Sequence, residues 1–244
     1  WLFNESPVAK EVVADDRWGT NTREKNTGAT YSTSEYGGGM DASRIWEESQ
    51  GIGHSYGYNR NEKLEDYKTG KELIMMLVDI VSRGGNLLLD IGPTADGRIP
   101  VIMQERLTEM GDWLKVNGEA IYGTTALPQP YQWSPGPKPG KEGKSFMAGY
   151  SVKKLATPSK DSAYIEAFFT KKGENLYCIL PRYVSQFRLR DRVLLNRAEV
   201  TILGSKAKVG FKVENMDTLI DLSKLQPGDI AGELVVLKIA PSAR

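Results

Sequence analysis

The sequence predicts an α/β fold, a parallel sheet layered with helices, followed by an antiparallel β-sandwich. Two observations carry this expectation. Up to about residue 127, stretches with helical period alternate with short, continuously apolar runs, the pattern of strands buried in a parallel sheet. After the proline-rich stretch "PQPYQWSPGPKP" (128–139) the helical period disappears, and short β-rich runs are divided by turn sequences. The domain boundary is therefore expected near residue 128, giving 1–127 as the α/β unit and 128–244 as linker plus sandwich.

Each element of the first unit has its own signal. "EVVADDRW" (11–18) reads as a short buried strand that ends in a polar loop. That loop, "DDRWGTNTREKNTGATYSTSEYGGG" (15–39), contains almost nothing apolar enough for a core. It suits either a solvated connection or a binding loop at a strand end. "RIWEES" (44–49) reads as the next strand. Between Asp66 and Ser82, Leu73, Leu77, Ile80 and Val81 fall at helical spacing. Thr69 and Glu72 stand as a capping box and Gly84-Gly85 as the stop. "NLLLDIG" (86–92) is a continuously apolar strand, and "PTADG" turns the chain. Pro100 opens a second helix with Met103, Leu107, Met110 and Leu114 on one face, and Gly118 ends it.

Beyond the prolines, "KSFMAGYSV", "AYIEAFFT", "NLYCILPR", "EVTIL", "KVGFKVE" and "LVVLKIA" are separated by "KKGE", "GSK" and "QPGD". An antiparallel sandwich without helices is expected there.

Composition removes several function classes. With 32 basic and 31 acidic residues the chain carries a formal charge of +1, and the cations are dispersed. Neither nucleic acid nor an anionic membrane surface is implied as partner. Cys178 is the single cysteine and His54 the single histidine, so no zinc cluster can be assembled. No metal and no cofactor is expected. No apolar run reaches the roughly 20 residues of a spanning helix, and the N-terminus shows no signal-peptide pattern.

"DDRWG", "YSTSEY", "GIGHSYGYNRNE", "RGGNLLLDIGPTADGRIP" and "WLKVNGEAIYGT" occur in this order. Together they resemble the second half of the catalytic domain of the α-L-fucosidases of glycoside hydrolase family 29, followed by that family's C-terminal β-sandwich. The resemblance implies the C-terminal part of a (β/α)8-like barrel and a retaining hydrolase that removes terminal α-L-fucose from glycans. Such enzymes place two carboxyl groups about 5 to 5.5 Å apart, one as nucleophile and one as acid/base.

Carried over motif by motif, the resemblance puts the acid/base on Glu35 of "YSTSEY". It puts a substrate contact on Arg17 of "DDRWG" and a sugar-packing aromatic on Tyr56 before "GYN". Asp15 stands where the family usually has Asn. The family's nucleophilic aspartate lies earlier in the barrel, so the chain is expected to be a fragment beginning downstream of it. Alone it would be inactive, and its partner would be the missing N-terminal half of the barrel. The inner faces of "NLLLDIG" and "RIWEES" would then be exposed as an apolar patch. A fucosylated glycan as substrate implies a periplasmic, secreted or lysosomal location.

Plainer readings stand beside these. Glu35 suits a solvated loop acid, Arg17 an arginine paired with Asp15 or Asp16, and Tyr56 a packing residue. Trp46 reads as wall or core and His54 as a loop residue. Glu47 and Glu48 point to opposite faces of a strand, so one of them faces the barrel interior, with no role assigned. A catalytically silent carbohydrate-binding relative, or a structural half-barrel, are the alternative functions.

Overall fold

A parallel sheet forms the first layer, from β1 (Ser32–Glu35), β2 (Trp46–Gly51) and β3 (Gly85–Asp90), with β2 in the middle. The computed structural model describes residues 1–19, 32–35, 45–139, 152–195 and 198–241. The register pairs Glu35 with Ser49 and Gly51 with Asp90, so the three strand ends lie near one another. Between β2 and β3 runs α1 (Gly70–Ser82), and α2 (Val101–Asn117) follows β3.

The helix limits follow the sequence signals. Thr69 caps α1: its hydroxyl accepts the Glu72 amide at 3.3 Å, and the Glu72 carboxylate accepts the Thr69 amide at 2.9 Å. Gly84, at φ +80°, stops it in the left-handed region that glycine tolerates. α2 opens on Pro100 and closes on Gly118, burying Met103, Met110 and Trp113. Where β2 and β3 meet, Gly85 makes room for Trp46. A Cβ at residue 85 would stand 2.4 Å from the indole, which is wholly buried.

The first strand is not where the sequence suggests. Residues 11–18 form no continuous strand, only a single bridge residue at Asp15 beside the buried Ala14 and Asp16, and Val13 is 77% exposed. The amides of Glu11 and Val12 bond back to the Val8 carbonyl at 2.9 Å each, so local turns consume the donors a ladder needs. The parallel layer begins instead at β1, inside the polar stretch. Most of that stretch, 20–31 and 36–39, lies outside the described residues, as do 40–44 after it.

The proline-rich stretch is not only a linker, because it contains β4 (Tyr131–Trp133). There follow α3 (Val152–Ala156), β5 (Ile165–Lys172), β6 (Asn175–Leu180), β7 (Gln186–Leu189), β8 (Glu199–Ile202), β9 (Gly210–Glu214), β10 (Asp217–Asp221) and β11 (Val235–Ala240). The short α3 corrects the expectation of a helix-free second region; it buries Val152 and Ala156 against the core shared with α1. Most of "KSFMAGYSV" lies outside the described residues. The strands form two antiparallel sheets, β4-β5-β6-β11-β8 and β7-β10-β9.

The larger sheet is buried on both faces, which explains its unbroken apolar runs. Phe168, Ile179 and Val236 pack toward the helices, while Phe169, Cys178 and Leu237 pack toward the smaller sheet. Each such side chain contributes about 1.5–3 kcal/mol of burial. One buried polar cluster ties the two regions together. Asp79 of α1, fully buried, accepts from the Arg83 guanidinium at 2.7 Å and from the Tyr131 hydroxyl of β4 at 2.5 Å. Arg83 in turn lies over the Trp46 ring, 4.8 Å from its centroid.

Candidate active site

The carboxyl ends of parallel strands are where the loops of such sheets gather polar side chains. At β1 the gathering begins with "DDRW". The Asp15 carboxylate accepts the Arg17 amide at 3.0 Å, a local Asx turn. Asp16, 3% exposed, accepts the Thr33 amide at 3.2 Å and the Thr33 hydroxyl at 2.9 Å. Arg17 Nε donates to the same hydroxyl at 2.5 Å. The relay Arg17 to Thr33 to Asp16 fastens the turn to β1, because a buried carboxylate must find donors. Arg17 thus stands half-buried beside the strand that ends in Glu35.

Glu35 is the last residue of β1, and its side chain lies outside the described residues. Its register position is opposite Ser49. The Tyr56 hydroxyl donates to the carbonyl of that same Ser49 at 2.9 Å, which holds the half-buried ring at the end of β2. Arg17 and Tyr56 are therefore both fastened to the β1–β2 pair, Arg17 through Thr33, two residues before Glu35, and Tyr56 through Ser49, the register partner of Glu35.

Strand alternation sorts the remaining groups. Thr33, Glu47 and Asn86 are successive partners across the sheet, and Glu35, Ser49 and Leu88 the next row on that face. Glu48 and Gln50 lie on the helix side, fully buried, with Gln50 Nε2 donating to Glu48 Oε1 at 2.7 Å. The acid on the site face is Glu47, half-buried, a residue to which the sequence alone assigned nothing. The same face is mostly polar. Leu88 is 50% exposed on it, yet Trp46 is fully buried on the other side, so the expected apolar patch shrinks to one leucine with Ile45 beside the strand.

The loop after β2 is held from both ends. A Cβ at Gly92, just after β3, would stand 2.3 Å from the Tyr58 amide nitrogen, so only glycine lets the two loops touch. Gly53 allows the Glu62 carboxylate to approach, and Glu62 Oε1 accepts the Ser55 amide at 2.7 Å. His54 is 63% exposed and lies 3.6 Å from Asp66, away from the Tyr56 hydroxyl bond. Among the described residues no group of three His, Cys, Asp or Glu side chains could hold a metal ion.

A cavity of about 940 Å³ lies elsewhere, between α1, α2, α3 and the sandwich. Its charged walls are paired with each other, Lys71 with Glu233 at 2.5 Å and Lys153 with Glu72 at 3.0 Å. It shares no residue with the strand-end cluster.

A family model described as alpha-L-fucosidase matches residues 1–119. Plasma alpha-L-fucosidase of Rattus norvegicus is 51% identical over 125 residues, covering 51% of this chain and 27% of the relative. Alpha-L-fucosidase of Dictyostelium discoideum is 44% identical over 213 residues, covering 87% of this chain and 40% of the relative. The crystal structure of Thermotoga maritima alpha-fucosidase in complex with a mechanism-based inhibitor superposes with a TM-score of 0.63 at 28% identity, over 86% of this chain and 42% of that one. The chain spans less than half the length of each of these proteins.

Proposed function

The chain belongs to the α-L-fucosidase family, and from that we propose that it supplies the acid/base side of a retaining exo-α-L-fucosidase acting on terminal α-L-fucose of glycans. In this reading residues 1–127 are part of a (β/α)8-like catalytic domain and 128–244 are linker and β-sandwich. Glu35 protonates the leaving oxygen and then activates water. The attack on the anomeric carbon comes from a second carboxylate about 5 to 5.5 Å away, supplied by the rest of the barrel. Arg17 binds a sugar oxygen with its planar fork, and Tyr56 packs against the ring. The relatives bear plasma and tissue names, which supports a secreted or lysosomal location.

The observation that carries the reading is the β1–β2 register: Glu35 opposite Ser49, Ser49 bonded to Tyr56, and Arg17 bonded to Thr33 two residues before Glu35. The test is Glu35→Ala in the active protein that carries this chain. Hydrolysis of a fucoside with a poor leaving group should slow by about 10²-fold or more. Azide should restore turnover of a substrate whose leaving group needs no protonation. Unchanged rates in the Ala variant would remove Glu35 from the acid/base role.

A further inference from the structure

One residue closes the base of the loop that carries Tyr56. The chain leaves β2 at Gly51 and returns at Lys68, just before α1. There the Lys68 ammonium donates to the Gly51 carbonyl at 2.7 Å and reaches the Gly53 carbonyl at 3.4 Å, and the Lys68 amide donates to the Ile52 carbonyl at 3.0 Å. Three successive carbonyls at the loop's entry are thus held by a single residue at its exit. Those carbonyls belong to the glycine-rich segment "GIGHSYG" (51–57), which has little stiffness of its own, and without Lys68 they would lack these bonds.

We propose that Lys68 is a positioning residue for substrate binding: it staples the stem of the 52–67 loop and so sets where Tyr56 stands against the sugar. The proposal rests on the reading of Tyr56 as the sugar platform. Burial pushes the Lys68 ammonium below its ordinary range while Glu72 and Glu62 pull it back up, as expected of a cation enclosed by carbonyls and acids rather than by water. A lysine on the surface of a loop would gain little from such enclosure. Here its hydrogen bonds go to the backbone that must not move.

The experiment uses the active protein that carries this chain, with 4-nitrophenyl α-L-fucoside as substrate. Lys68→Met is compared with Lys68→Arg, whose guanidinium keeps charge and donors, and with Tyr56→Ala. Lys68→Met should raise KM by roughly 10-fold with a smaller change in kcat, the signature of lost positioning in the bound state. Lys68→Arg should recover most of that loss. Amide hydrogen exchange across residues 54–67 should quicken in Lys68→Met and stay slow in Lys68→Arg.

On a Tyr56→Ala background, Lys68→Met should add little to KM, since both act through one ring. Unchanged exchange across the loop in Lys68→Met overturns the staple. Quickened exchange with KM unchanged, while Tyr56→Ala raises KM, overturns the positioning role alone. If Tyr56→Ala leaves KM unchanged, the sugar-platform reading falls and takes the proposal with it. Should Lys68→Met not fold, Lys68→Arg with a KM raised as far as that of Tyr56→Ala counts against the proposal.

Discussion

Removing the Tyr131 hydroxyl should loosen the sandwich from the helical layer. In Tyr131→Phe the Asp79 carboxylate keeps Arg83 but loses the donor that reaches it from β4. Asp79 is fully buried and the Arg83 side chain is 14% exposed, so water screens the cluster little. A hydrogen bond to a charged group is worth about 1.5–3 kcal/mol, and Phe fills the same volume, so the loss should lie in that range. Asp79→Ala removes both bonds and leaves the guanidinium over Trp46 without its carboxylate, which should cost about 3–5 kcal/mol. The assay is equilibrium urea unfolding, read as a shift of midpoint at constant slope. A double-mutant cycle with Tyr131→Phe and Asp79→Asn should show coupling of about 1 kcal/mol or more. If Tyr131→Phe stays within about 0.3 kcal/mol of the parent, or the cycle is additive, this bond does not join the two layers.

Further outcomes follow from the same physics. Gly92→Ala drives a methyl into the Gly57–Tyr58 backbone and should destabilise by about 1–3 kcal/mol, with a raised KM; a neutral melting curve would refute the close approach. Burial first, and then the Glu119 carboxylate, raises the Tyr177 phenol to about 12 from its ordinary 10.0. Its contribution is therefore complete below pH 10 and lost as pH rises through about 12, and Tyr177→Phe should flatten that alkaline loss in unfolding curves. The Lys238 ammonium first, and Tyr177 second, hold Glu119 below the usual carboxylate range, so its contribution is present above pH 4.5 and fades as pH falls further; Glu119→Gln should make the acid-side loss shallower, leaving the share of the other lowered carboxylates such as Glu72. Cys178 is fully buried and its thiol is pushed up to about 12, so iodoacetamide should label it only once urea unfolds the sandwich.

The sequence by itself determined the elements whose information is local. Thr69, Glu72 and Gly84 set the ends of α1, and Pro100 and Gly118 those of α2, because caps and stops act through bonds within a few residues. The five ordered motifs also pointed to the family. Tertiary structure decided what depends on partners distant in the chain. "EVVADDRW" has the composition of a strand, but the Glu11 and Val12 amides turn back on Val8 and only Asp15 is left in a bridge, while the polar "STSE" becomes β1 by pairing with β2. Proline-rich "YQW" becomes β4 because β5 supplies a ladder and Asp79 a hydrogen-bond acceptor. Which of Glu47 and Glu48 faces the site could not be read from alternation alone, since period two fixes that they differ but not which side is covered by helices. Lys68 carried no motif at all: its place over the carbonyls of Gly51 and Gly53 exists only once the chain between them has closed its loop.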